Sequence, residues 1–75
     1  MTAFPDSPYR LSYWEEVVGL LLKLDENASY ATVGSYNVFL PSELIISLKQ
    51  HLGKRVAILR VEDDQVTPYR WRLLD

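Results

Sequence analysis

Residues 14–24 read WEEVVGLLLKL, an apolar run interrupted by a single glycine. If the chain is extended, apolar side chains alternate along one side of this run, at Val18, Leu20, Leu22 and Leu24. Val17 and Leu21 lie on the other side, so the pattern predicts a strand that is partly covered on both faces or bent between two packing surfaces. Gly19 marks the expected bend, because glycine inside a strand is typical of a bulge or a sharp bend.

A helix is the competing interpretation of this run, since a leucine-rich segment is compatible with either structure. The two-residue alternation and the polar turn at 25–29 favour the strand. Residues 30–40 then predict a second strand, rich in aromatic and β-branched residues. Gly34 and Ser35 in its middle allow one strand kinked at Gly34, or two short strands joined by a type II′ turn. We expect the single kinked strand, because each half is short for a hairpin arm.

A helix is predicted at about 42–52, after Pro41. Apolar residues recur there at helical spacing, at Leu44, Ile45, Leu48 and Leu52. Glu43 near the start favours the helix dipole, and Gly53 is the natural residue to end the helix. This helix is expected to pack its apolar side on the sheet.

Two further strands follow, at 54–62 and 69–73, separated by a polar turn at 62–65. The order of strands and helix over roughly residues 14–74 resembles that of small β-barrels of the OB or SH3-like kind. No sequence motif accompanies this resemblance, so it implies no functional residues. The prediction is an α+β domain, a curled antiparallel sheet or small β-barrel of four to five strands with one amphipathic helix. Residues 1–13, which contain two prolines, are expected to form an extended arm, and 14–75 a single domain.

The composition limits the classes of function. The chain has 75 residues, a formal net charge of −2 and no cysteine, which argues against a dedicated nucleic-acid binder and excludes disulfides and thiolate metal sites. A chain of this length buries only about 60 % of its unfolded surface, so self-association is a plausible source of stability. No secretory or membrane-spanning pattern is present, so we expect a cytoplasmic protein that does not contact membranes.

Catalytic and metal-binding patterns are not found in the sequence. His51, the only histidine, falls near the end of the predicted helix, where a cation suits the helix dipole. Glu15 and Glu16 are adjacent in a predicted strand and therefore point to opposite faces. The acidic run 62–64 lacks the spacing and the glycine of a calcium loop. We therefore expect no enzymatic activity, no cofactor and no metal.

The most suggestive feature is a set of basic and aromatic residues near the carboxyl end. The candidate interaction surface consists of Arg10, Lys54, Arg55, Tyr69, Arg70, Trp71 and Arg72. Strand alternation predicts that Tyr69 and Trp71 face the core while the arginines between them face out. Protein–protein contact or homodimer formation is the preferred function, because aromatic and arginine side chains are typical interface anchors. Weak binding of single-stranded nucleic acid is the alternative, since rings interleaved with arginines can form a stacking platform.

Overall fold

Five antiparallel strands and one short helix form an α+β fold in the computed structural model, which describes residues 8–62 and 68–74. The strands in chain order are β1 (Glu16–Asp25), β2 (Tyr30–Val33), β3 (Tyr36–Phe39), β4 (Arg55–Arg60) and β5 (Tyr69–Leu73). The helix α1 (Ser42–Leu48) continues as a 3-10 turn, Lys49–His51. The spatial order is β3-β2-β1-β4-β5, so the strand predicted at 14–24 is the central one. No ladder joins β3 to β5 within the described residues, so the sheet is open there and a closed barrel is not confirmed.

The central strand β1 pairs with a different neighbour along each half of its length. Residues 16–20 pair with β4, and residues 21–25 pair with β2. The register shifts between Leu21 and Lys23, which places a bulge at Leu22. The glycine pattern in the sequence predicted a bulge or bend at Gly19. The strand irregularity is real but lies three residues further on.

Gly19 serves close packing instead. A Cβ atom added there would lie 3.0 Å from both the Cα and the N atom of Gly34, which is closer than real Cβ atoms tolerate without movement. The Gly34 N–H also donates a hydrogen bond to the Leu20 carbonyl at 2.8 Å. The missing side chain of Gly19 therefore lets the tip of the next hairpin rest directly on β1.

That hairpin corrects the preferred prediction for residues 30–40. β2 and β3 are separate antiparallel strands joined by Gly34 and Ser35, with Val33 opposite Tyr36. Gly34 has a φ of +61°, and Ser35 is not among the residues with positive φ, which matches a type II′ turn. The kinked single strand was wrong because a glycine that can adopt this φ makes a two-residue loop possible even between four-residue strands.

The core lies between the inner face of the sheet and α1. Its buried members come from every element except β5, together with the arm. Ile45 and Leu48 contribute from the helix and Leu11 from the arm, each fully buried. The arm also extends the sheet at the edge of β3, where the Tyr9 N–H donates to the Asn37 carbonyl and the Tyr9 carbonyl accepts from the Phe39 N–H. The described part of the arm thus contacts the domain through the Tyr9 backbone and the Leu11 side chain.

Several predicted boundaries shift by a few residues. The helix expected at 42–52 is α-helical only to Leu48, and its last turn tightens to 3-10 geometry before Gly53. β1 begins at Glu16 rather than Trp14, because residues 12–15 form a turn. The polar turn predicted at 62–65 falls almost wholly in 63–67, outside the described residues. No helix in the described part of the chain has the length and apolarity needed to cross a bilayer.

We predict that Gly19→Ala lowers the free energy of unfolding by about 1–3 kcal/mol, because the new methyl group would press on the backbone of Gly34. Urea unfolding measures the change. Gly53→Ala is the matched control, since a Cβ there meets no atom within 4 Å and only its φ of +87° opposes the change. An unchanged stability in Gly19→Ala would mean that the hairpin tip does not rest on β1.

Candidate interaction surfaces

The predicted surface residues of β5 divide between the two faces of the sheet. Tyr69 and Trp71 are half-buried and pack against the core, while Arg70 and Arg72 are exposed on the outer face. The Trp71 ring lies 5.2 Å from the His51 ring, centroid to centroid, at the end of the helical segment. The strand alternation expected from the sequence is therefore present, and rings and arginines on β5 do not share a face.

A shallow groove separates β5 from the helix. It has a volume of about 250 Å³ and is lined by Pro41, Glu43, Leu44, Ser47, Pro68, Tyr69 and Trp71. A larger depression of about 550 Å³ shares three of these residues and extends past Phe39 and Leu40 to Arg10 and Arg60. Both lie along the open side of the sheet, between the end of β3 and the start of β5.

We predict that Trp71→Ala lowers the free energy of unfolding by about 3 kcal/mol, since the indole packs on the core and on His51. Chemical denaturation followed by circular dichroism measures this change. Arg72→Ala on the outer face serves as the control and should change stability by less than about 0.5 kcal/mol. Equal, small effects at both positions would show that the Trp71 ring contributes nothing to the core.

The outer face of β1 carries an apolar stripe, formed by Val18, Leu20 and Leu22. These side chains are 49 %, 46 % and 57 % exposed, although they belong to the central strand of the sheet. An antiparallel sheet with one solvated face normally alternates apolar and polar residues, so three exposed aliphatic side chains in a row depart from that pattern. The sequence pattern predicted a strand partly covered on both faces or bent between two packing surfaces, and the described part of the chain covers one face.

Charged groups flank the apolar stripe. Glu16 lies at the start of β1. Its Oε2 atom is 3.9 Å from Nη2 of Arg72 on the outer face of the sheet. Arg55 is exposed on β4 directly opposite Leu20. The stripe therefore has an acidic group near one end and a basic group beside its middle residue.

The outer face of β2 and β3 carries a second, smaller cluster. The Lys23 ammonium donates a hydrogen bond to the Tyr30 hydroxyl at 3.0 Å and lies 5.4 Å from the ring centroid. This hydrogen bond raises the pKa of Lys23 above its ordinary value. Phe39, opposite Tyr30 in the ladder, is 37 % exposed. The cluster thus places two rings and a cation on one face of the sheet. On β5, in contrast, the rings and the arginines lie on opposite faces.

Trp14 occupies an unusual backbone position before β1. Residues 12–15 form a turn in which the Glu15 N–H donates to the Ser12 carbonyl, and Trp14 has a φ of +66°. The Trp14 N–H donates to the Arg60 carbonyl, and the Arg60 N–H donates to the Glu15 carbonyl. Trp14 and Glu15 therefore lie together opposite the single residue Arg60. This is the arrangement of a G1 bulge with a type II turn, a position that normally holds glycine. A bulky residue here costs backbone energy, yet the indole is 60 % exposed and recovers little of that cost by burial.

Arg60 holds this turn against the sheet. Its side chain is buried, donates from Nη1 to the Leu11 carbonyl at 2.7 Å, and places its guanidinium 4.5 Å from the centre of the Tyr13 ring. A charged donor bonded to a backbone carbonyl inside the protein is a strong contact. The turn that displays Tyr13 and Trp14 is thus fixed at a defined place at the end of β1.

We predict that Trp14→Gly leaves the free energy of unfolding unchanged or raises it by up to about 1 kcal/mol, because glycine adopts positive φ without strain. Thermal unfolding compares it with Trp14→Ala, which also removes the indole but keeps a side chain at the strained position. The glycine variant should be the more stable of the two. The opposite order would show that backbone strain at Trp14 is unimportant.

The remaining residues of the predicted surface lie apart from β5. Arg10 is exposed on the arm beside the larger depression. Lys54 is exposed just before β4, where its carbonyl accepts a hydrogen bond from the Leu21 N–H. The seven candidates therefore form no single patch: three arginines share the outer face, two rings line the groove, and Arg10 and Lys54 lie elsewhere.

Chemistry-bearing groups are sparse in the described ranges. No three His, Cys, Asp or Glu side chains of residues 8–62 and 68–74 are placed to hold a metal ion. The predictions that the chain is not an enzyme and takes no cofactor stay predictions. A scan against protein-family models, a search of curated proteins and a search of solved structures each found no match to this chain.

Sequence reasoning missed three features of these surfaces. The alternation on β1 was visible, but it did not reveal which face would be left uncovered. Trp14 was included in a strand, because nothing in the residue type indicates positive φ. The position of β5 at the end of the spatial order, which leaves one of its edges without a neighbouring strand in the described residues, depends on long-range pairing that no local pattern predicts.

Proposed function

We propose that this chain is a non-enzymatic protein-interaction module that associates with a second copy of itself through the apolar stripe. The observation that carries the proposal is the exposure of Val18, Leu20 and Leu22 on the central strand. Burying three aliphatic side chains removes apolar area from water, which is the main favourable term in protein association. Small domains with thin cores also gain stability by self-association.

The charges beside the stripe favour a particular arrangement. A two-fold axis lying across the strands would stack the two β1 strands face to face and antiparallel. With the axis near Val18, Glu16 would then lie over Leu20 of the second copy and approach the Arg55 beside it. The contact is self-complementary in both its apolar centre and its flanking charges.

Light scattering across protein concentration tests the proposal. The wild-type chain should rise from the monomer mass to the dimer mass as concentration increases. The double variant Leu20→Thr, Leu22→Thr should stay monomeric, because threonine keeps strand propensity while removing apolar area. Ile46→Gln is the control, since Ile46 is 56 % exposed on the helix, away from the stripe. A wild-type monomer at every concentration would refute self-association.

A charge exchange tests the arrangement of the two copies. Glu16→Arg and Arg55→Glu should each weaken the dimer, and the two changes together should restore it. Failure of the double variant to recover would exclude the antiparallel stacking even if the dimer forms.

Weak binding of single-stranded nucleic acid is the second candidate. The cluster of Lys23, Tyr30 and Phe39 supports it, because this cluster combines rings and charge on one face. The net charge of −2 argues against it. Titration with labelled single-stranded DNA and RNA should detect binding at low salt, where phosphate contacts are strongest, and none there would remove this candidate.

Two more specific predictions, on architecture and on location, are part of this proposal. A barrel-like architecture is supported by the element order, since the helix follows the third of five strands, as in an OB barrel. A cytoplasmic location is supported by the absence of cysteine, which suits a reducing compartment.

A further inference from the structure

The strand β5 has one edge paired with β4 and one edge that no described residue covers. The Leu74 N–H donates to the Arg55 carbonyl, and the Val61 N–H donates to the Pro68 carbonyl. Hydrogen-bonded positions alternate along an antiparallel ladder, so even-numbered residues of β5 bond β4. The N–H and C=O groups of Tyr69, Trp71 and Leu73 therefore point away from the sheet. Within residues 8–62 and 68–74, no backbone hydrogen bond reaches them.

The side chains on the two faces of β5 differ in polarity. Tyr69 and Trp71 line the groove against the helix, together with Leu44 and Pro41. Arg70 and Arg72 project from the opposite face. A strand added to the edge would place every second side chain over the groove and the others beside the arginines. The edge therefore suits a segment in which apolar and acidic residues alternate.

A second copy of β5 fits this edge poorly. Antiparallel pairing centred on Trp71 would set Arg70 of each chain opposite Arg72 of the other. Like charges directly opposite each other destabilise a strand pair. The arginines also protect the edge from such pairing, which is a common use of charge on edge strands.

We infer that the free edge of β5 binds an extended segment of another protein in which apolar and acidic residues alternate. The segment adds a sixth strand to the sheet, with its apolar side chains over the Tyr69–Trp71 groove and its carboxylates beside Arg70 and Arg72. This site is distinct from the apolar stripe and does not depend on self-association.

A labelled peptide of alternating valine and glutamate, titrated against the full chain by fluorescence anisotropy, tests the inference. Saturable binding is expected, and a matched peptide of alternating valine and lysine should bind about tenfold more weakly or worse. The measurement is made on wild type and on the Leu20→Thr, Leu22→Thr variant. Equal binding by both separates this site from the dimer surface, so either proposal can fail alone.

Hydrogen exchange identifies the strand addition itself. The amide protons of Tyr69, Trp71 and Leu73 should exchange rapidly in the free chain and slow down when the Val/Glu peptide is added. A Val/Glu peptide N-methylated at its valine amides, the ones that face β5 in an antiparallel pairing, keeps its side chains but loses these donors, and it should not bind. Protection of the three amides without peptide would mean that the edge is already occupied, by a second copy or by this chain's own first residues, and would overturn the inference.

Charge reversal tests the role of the arginines. The double variant Arg70→Glu, Arg72→Glu should lose the Val/Glu peptide and gain the Val/Lys peptide. Lys23→Glu is the control and should change neither, since Lys23 is exposed on the part of β1 that pairs with β2. Unaltered charge preference in the double variant, or no binding of the Val/Glu peptide to the wild type, would overturn the inference.

Discussion

The contact between Gly19 and Gly34 is the constraint on which the rest of the sheet depends. With no side chain at Gly19, the tip of the β2–β3 hairpin can rest on β1 and bond the Leu20 carbonyl. β1 then changes partner in its middle, pairing with β4 along 16–20 and with β2 along 21–25. The core forms between these strands and the helix, and the contact between the two glycines lets the β2–β3 hairpin pack closely on β1.

The same curl decides which apolar residues are buried. β1 has apolar side chains on both faces, of which Val17 and Leu21 are buried inside and Leu24 packs partly against the core. The stripe of Val18, Leu20 and Leu22 is left outside. One short helix covers one face of the sheet, and the described chain holds no second layer for the other. The exposed stripe is therefore a consequence of the fold, and self-association is the proposed use of it.

Two other features are linked by the arginine at the end of β4. Arg60 bonds the Leu11 carbonyl, packs on Tyr13 and, through its backbone, closes the bulge that holds Trp14 at positive φ. An exposed indole that carries backbone strain contributes little to folding. Strained positions of this kind often coincide with binding surfaces. The last strand of the sheet, β5, has an outer edge that no strand of the described residues pairs with. One of its faces is aromatic and packs on the core, and the other carries arginines.

The sequence by itself determined the approximate positions of the strands and the helix, and the face of β5 on which each side chain lies. Periodicity located the strands and the helix to within a few residues, and alternation placed Tyr69 and Trp71 inward and Arg70 and Arg72 outward. These are local properties, because side-chain direction follows from chain geometry alone. The choice at Gly34 between a kink and a turn was not local, since it depends on a contact with Gly19 fifteen residues away. Tertiary structure alone decided which face of β1 stays uncovered, which backbone position Trp14 takes and which edge of β5 is free, because each depends on the neighbours that the curled sheet brings together.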